Sequence, residues 1–250
     1  AQVWLDRCQF PRKTLNDPLA LTEKETGPLD LIILDIQDTP SAFIRKIRQN
    51  KKPVVSFEDL GSGAGYADLT INELYETPQI RGSRIHWGHN YFFVRDEFQE
   101  AKPAQFQSNV KKLLLTFGGT DQKDLSRLIY HRIRGFCQQQ SIEIYIVTGP
   151  GYRRYERLAE ETKGEKNVYL THNTGVISGI MEKVQIAITS NGRTVYELAH
   201  MNIPTIVIPQ HDREKTHDFA CEENGFVALE PYEKGVTEQV VLEQLTRILD

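Results

Sequence analysis

The sequence predicts an α/β protein made of parallel sheets in two units, and three observations carry that reading. Short apolar runs, such as residues 29–35 and 110–117, alternate with apolar residues at helical spacing along most of the chain. The run Leu31-Ile-Ile-Leu34 is unbroken, as in a parallel strand buried on both faces. A polar segment, 99–109, separates two such alternating stretches and reads as a linker. The units are therefore taken as 1–105 and 106–250, in keeping with roughly 100–200 residues per domain.

In the first unit, residues 2–5 read as a strand at the very start, so the chain is expected to begin inside a domain. The strand at 29–35 is followed by 41–49, where Phe43, Ile44 and Ile47 have helical spacing. Residues 53–57 form the next strand, ending at Glu58-Asp59, and 67–72 a short third one. Between them, Gly61-Ser-Gly-Ala-Gly65 lacks the spacing and the following helix of a dinucleotide fingerprint and reads as a flexible loop. In the second unit the expected order is strand 110–117, helix 125–138, strand 143–148, helix 152–162, strand 168–170, helix 176–183 and strand 184–189. A glycine turn and helix follow, then strand 203–208, strand 226–229 and helix 237–249. Such alternation implies right-handed crossovers, with ligands outside the carboxyl ends of the strands.

Composition narrows the function. With 39% hydrophobic and 26% charged residues and a net charge of -4, the chain has no basic nucleic-acid footprint. No apolar run reaches the roughly 20 residues of a membrane span. Cys8, Cys137 and Cys221 form neither a zinc pattern nor a disulfide framework, and no secretory signal is visible, so a cytoplasmic location is expected. The separation of His211 and His217 fits neither a zinc helix nor a finger, so no metal is expected. That stretch reads as a solvated loop entering a helix at about Thr216. His86 and His89 read as surface or packing residues.

Two glycine turns carry the chemistry. Ile188-Thr-Ser-Asn-Gly-Arg-Thr-Val-Tyr-Glu197 reads as strand, turn and helix, presenting Ser190, Asn191 and the N–H groups of 192–194 at a helix N-terminus. That end carries partial positive charge and suits a phosphate, although an ordinary capped helix reads the same way. Glu197, one helical turn beyond Thr194, can share its face and accept from sugar hydroxyls. Gly118-Gly-Thr-Asp121 also follows a strand and precedes a helix that Thr120 or Asp121 can cap. Both turns lie at one end of the same sheet and could converge on one diphosphate. No Ser-His-Asp order, nucleophile elbow or P-loop is visible.

Together with Leu31-Ile-Ile-Leu-Asp35, Val55-Ser-Phe-Glu-Asp59, Ala67-Asp-Leu-Thr-Ile-Asn72, Gly88 through Phe98, Phe117 through Asp121, Ser190 through Ala199 and Glu214 through Ala220, these turns resemble the nucleotide-sugar hydrolases of pseudaminic acid biosynthesis. That branch is related to the SpsG spore-coat polysaccharide proteins and, more distantly, is similar to the N-acetylglucosaminyl transferase that makes lipid II. The order holds from about residue 29 to residue 229. The resemblance implies two Rossmann-like domains in a glycosyltransferase-B-like fold, no cofactor, and a UDP-sugar as the small-molecule partner. In that family, UDP-2,4-diacetamido-2,4,6-trideoxy-altropyranose loses UDP when water attacks the anomeric carbon. Carried over, Gly118, Gly119 and Thr120 border the diphosphate beside Ser190, Asn191 and Thr194, and Glu197 takes the ribose hydroxyls. Asp35, Asn72, Tyr91, Arg95 and His217 fall on the substrate side.

The chain departs from that pattern in two places. The family begins with a strand, a glycine-rich loop bearing a histidine and a helix, whereas this chain starts at what reads as the second strand. A family His-Tyr pair is replaced by Ile36-Gln37. Catalytic residues are therefore unassigned. A transferase and a non-catalytic binding domain stand as alternatives to the hydrolase. A parallel sheet without its first strand is expected to need a covering N-terminal segment, a second copy or a partner chain.

Overall fold

A computed structural model describes residues 26–249 together with Asp17, Leu19 and Leu21; the strand expected at 2–5 lies outside the described residues. The chain divides into two compact units between Phe92 and Phe93.

The first unit holds a four-stranded parallel sheet of β1 (Ile32–Asp35), β2 (Val54–Phe57), β3 (Leu69–Asn72) and β4 (Ile85–Trp87), in that order. Helix α1 (Ser41–Ile47) places Phe43, Ile44 and Ile47 on Ile32, Leu34, Val54 and Ala67. This corrects the expectation of a strand buried on both faces: Ile32 and Leu34 are buried, but Ile33 is 61% exposed. Asp59 fixes the loops at the carboxyl ends of β1 and β2. Its Oδ1 accepts from the N–H groups of Thr39 (2.9 Å) and Gly61 (2.8 Å), and its Oδ2 from the Thr39 and Ser56 hydroxyls. The glycine stretch at 61–65 is accordingly packed rather than open. A Cβ on Gly61 would lie 2.3 Å from the Asp38 carbonyl carbon, and Gly63 donates its N–H to Thr39 O at 2.7 Å.

The second unit is a six-stranded parallel sheet. Its strands are β5 (Lys112–Thr116), β6 (Glu143–Thr148), β7 (Val168–His172), β8 (Ile186–Thr189), β9 (Thr205–Val207) and β10 (Phe226–Ala228), in the order β10-β9-β8-β5-β6-β7. The chain builds outward from β5 through β6 to β7, returns to the other side of β5, and builds outward again. That is the doubly wound order, and its reversal falls between β5 and β8. Alternation along the strands divides the core. Leu113, Leu115, Ile186 and Ile188 face α2 (Leu125–Gln139), α3 (Tyr155–Thr162) and α7 (Thr237–Leu249), whereas Leu114 and Ala187 face Phe98, Met181 of α4 (Ser178–Met181) and Leu198 of α5 (Thr194–His200). Both faces are covered, as a parallel sheet requires.

Residues 93–104, which the sequence reading assigns to the first unit, pack here. Phe98 is fully buried in the Leu114 cluster, and the Ala104 N–H donates to Met201 O at 3.0 Å. Cys137 belongs to the core beneath α2, where burial pushes its thiol up to about 12, and Cys221 is half-buried; neither forms a disulfide. Among the described residues no helix is long and apolar enough to cross a membrane.

Candidate functional site at the switch point of the second sheet

The two glycine turns leave the sheet at adjacent carboxyl ends. Thr116 and Thr189 are paired across β5 and β8, so the two turns leave neighbouring strands spaced roughly 5 Å apart. Gly118 has φ +74°, and a Cβ on Gly118 or Gly119 would meet nothing within 4 Å, so this backbone lies open. The loop after β6 supports it from behind. Gly151 donates its N–H to Gly119 O at 2.9 Å, and a Cβ on Gly149 would fall 2.4 Å from the Gly119 Cα. Glycine at 149 is thus what lets the two loops nest.

Asp121 decides which helix end remains open. Its carboxylate accepts from the N–H groups of Leu125 and Ser126, both at 2.8 Å, capping α2 with its own side chain. Burial raises the Asp121 carboxyl, and those N–H groups oppose the rise. The expected cap is thus Asp121 rather than Thr120, and with α2 closed by it the β5 turn offers its exposed backbone at Gly118 and Gly119. At α5, by contrast, Arg193 stands at the N-cap and makes no side-chain cap.

Asn191 and His217 serve as braces. The Asn191 amide donates to Glu214 O (2.8 Å) and His217 O (2.9 Å), and His217 Nδ1 lies 2.5 Å from Asn191 O. The two residues lock the β8 turn to the segment after β9, and burial holds the His217 imidazole below its usual value. The helix expected from about Thr216 is instead α6 (Asp212–Lys215). His211 caps it by accepting from the Glu214 N–H, and Glu214 Oε2 accepts from the Gln210 N–H at 2.7 Å, a reciprocal arrangement that starts the helix early.

Glu197 is 8% exposed in the first turn of α5. Arg95 donates from Nε to Glu197 Oε1 at 2.9 Å and reaches Glu97 Oε1 from Nη1 at 2.8 Å, so one guanidinium bridges a buried and a half-buried carboxylate. Burial raises the Glu197 carboxyl, while Arg95 and Arg193 oppose the rise. Sequence reasoning missed Glu97, whose Oε2 accepts from the Ser178 N–H at 2.9 Å, because one acid in a polar segment carries no pattern. It also missed the support from Gly149 and Gly151, although paired glycines after a strand were the available signal.

A cavity of about 740 Å³ opens beside the β5 turn, lined by Thr120, Asp121, Gln122, Gly151, Tyr152, Arg153 and Arg154. That is within the usual size of ligand pockets. In the first unit, Asp35 is exposed at the end of β1. Asn72 is fully buried and donates to Asp59 O at 3.0 Å, and the Tyr91 hydroxyl lies 2.9 Å from His86 Nδ1. The structure thus gathers Gly118, Gly119, Thr120, Ser190, Asn191, Thr194, Glu197, Arg95 and His217 in the second unit, and Asp35, Asn72 and Tyr91 in the first. Among the described residues no three His, Cys, Asp or Glu side chains are grouped to hold a metal ion.

Two parallel sheets, the second doubly wound with glycine turns at its strand reversal, define the class: this is an α/β protein of the glycosyltransferase-B-like fold. Residues 113–222 match the glycosyltransferase family 28 C-terminal domain. The chain is 23% identical over 240 residues to the spore coat polysaccharide biosynthesis protein SpsG of Bacillus subtilis, covering 92% of this chain and 70% of that protein. It is 20% identical over 191 residues to a Helicobacter pylori protein, the pseudaminic acid cytidylyltransferase and UDP-2,4-diacetamido-2,4,6-trideoxy-beta-L-altropyranose hydrolase, covering 73% of this chain and 34% of that protein. Among solved structures, the S. aureus MnaA–UDP co-structure superposes with a TM-score of 0.61 at 10% identity, covering 95% of this chain and 73% of that one. The second unit is accordingly similar, over residues 113–222, to the glycosyltransferase family 28 C-terminal domain.

Proposed function

We propose that this chain binds a UDP-sugar at the switch point of its second sheet and, in the complete protein, hydrolyses it. A water oxygen bonds to the anomeric carbon, the bond from that carbon to the phosphate oxygen breaks, UDP departs with the electron pair, and the water proton is released. The observation that carries this reading is the pair of glycine turns side by side at the reversal between β5 and β8, where such sheets take ligands. The open backbone of Gly118 and Gly119, with Thr120, borders the diphosphate, and Ser190 and Thr194 flank it. Asn191 and His217 hold the β8 turn in place. Glu197, held in place by Arg95, accepts the ribose hydroxyls. The name of the Helicobacter pylori relative supports hydrolysis and a diacetamido-trideoxy sugar.

Titration calorimetry with UDP checks the site. Binding is expected in the micromolar range, and Gly119→Trp, at a position where an added Cβ meets nothing within 4 Å, is expected to abolish it. No heat at about 1 mM UDP with folded protein would remove the nucleotide site.

The match to a transferase domain over residues 113–222 favours a second reading, transfer of the sugar to an acceptor. UDP release in water alone supports hydrolysis, whereas release only with an acceptor supports transfer. Binding without release under either condition would leave a nucleotide-sugar-binding domain.

A further inference from the structure

A second concavity lies at the opposite, amino-terminal end of the first sheet. It encloses about 620 Å³ and is lined by Arg45, Arg48, Gln49, Lys51, Lys52, Pro53, Tyr66 and Asp68. Lys52 and Pro53 immediately precede β2, and Tyr66 and Asp68 precede β3, so this site is separate from the carboxyl ends where Asp35 and Asn72 stand. Four cations and one carboxylate leave three net positive charges in one hollow, on a chain whose net charge is -4.

A helix end collects cations for a bland reason, since Arg45 and Lys46 in the last turn of α1 complement its dipole. That accounts for neither Lys51 nor Lys52, which lie beyond the helix, nor for the way the arginines are held. Arg48 donates to Tyr66 O at 3.0 Å and to Asp68 Oδ1 at 2.6 Å. The Arg45 guanidinium stacks over the Tyr66 ring at 4.2 Å and donates to its hydroxyl at 2.5 Å. Asp68 is itself occupied, accepting from the Val54 N–H at 3.0 Å as well as from Arg48. Among the described residues Arg45, Lys51 and Lys52 make no ion pair. One guanidinium stacked on a ring, with two ammonium groups beside it and a second guanidinium already engaged by Asp68, suits adjacent phosphates rather than a single carboxylate.

We propose that this hollow binds a compact soluble anion carrying adjacent phosphates. The concave shape favours a small ligand over a lipid surface, which protruding cations would meet.

Tripolyphosphate is the probe, titrated calorimetrically into the full chain at low ionic strength. With the switch point saturated by UDP, the expected result is one site that weakens as salt is added. Lys51→Glu with Lys52→Glu is expected to reduce the affinity at least tenfold while UDP titrates as before. Arg45→Ala, which removes the stacked fork, is expected to reduce it as well. Gly119→Trp is expected to leave it unchanged, which makes the result independent of the nucleotide site. The proposal is overturned by any of three results: no tripolyphosphate binding, binding indifferent to the lysine reversals, or loss of binding in Gly119→Trp instead. It is also overturned if the chain sediments with vesicles of phosphatidylglycerol in a lysine-dependent manner but ignores tripolyphosphate.

Discussion

Arg95 is the residue on which most electrostatic consequences turn. It joins two carboxylates whose side chains are each 10% exposed, and its removal leaves Glu197 with only the weaker pull of Arg193 against burial. Breaking a fully buried pair costs roughly 3–5 kcal/mol. Because the Arg95 side chain is 50% exposed, the expected loss for Arg95→Ala is smaller, about 1–2 kcal/mol at neutral pH. The pH dependence has a definite sign. Burial raises the Glu197 carboxyl above its ordinary 4.5, so the folded state holds that proton more tightly than the unfolded one. Ionised Glu197 therefore costs stability above its folded value, and the cost disappears once pH falls below 4.5, where it is protonated in both states. Arg95 offsets that cost, so Arg95→Ala should destabilise most at pH 7.5 and progressively less as pH approaches 4.5. Urea unfolding at several pH values measures this, and a penalty that grew on acidification would refute the bridge.

Among the elements, the nesting of the loops after β5 and β6 makes the sharpest demand on sequence. An added Cβ at 149 runs into the backbone of Gly119, whereas one at 119 meets nothing. Gly149→Ala is expected to lower stability by about 1–3 kcal/mol through forced backbone shifts, and Gly119→Ala to leave it nearly unchanged. Thermal melts of the two variants make the comparison, and equal melting temperatures would mean the loops do not nest. The sequence disclosed most of these elements because they are regular: β6 and α7 fall on their predicted residues, and Leu113, Leu114 and Leu115 had to be a strand with two buried faces. It did not disclose β4, since Ile85-His-Trp87 is too short to show a period. Nor did it show that Ile33 would stand exposed, because an unbroken apolar run does not say what covers it. At the site, the glycines and Glu197 were legible as local patterns. The Arg95 bridge joins residues 102 positions apart, and the Asn191 brace joins residues 26 apart; only tertiary structure supplies such pairings.

For the whole molecule, the contrast between the units governs how the site can be studied. The second unit buries Leu113, Leu115, Ile186 and Ile188 on one face and Leu114, Ala187 and Leu198 on the other, so it owns a two-sided core. It also contains Gly118, Gly119, Ser190, Thr194, Glu197 and Arg95. Cutting at residue 93 keeps Phe98 within its cluster and Arg95 on Glu197, whereas cutting at residue 106, as the composition of the linker suggests, would remove both. A fragment of residues 93–250 is therefore expected to unfold cooperatively and to bind UDP within about threefold of the full chain. A fragment of residues 106–250 is expected to be less stable, because it opens the cavity left by Phe98, and removing a buried Phe side chain costs roughly 3–5 kcal/mol. Urea titration and calorimetry of the two fragments separate the cases. If the longer fragment folds but fails to bind UDP while the full chain binds it, the nucleotide is held by groups outside the switch point, and the roles given to Gly119 and Glu197 fall with it.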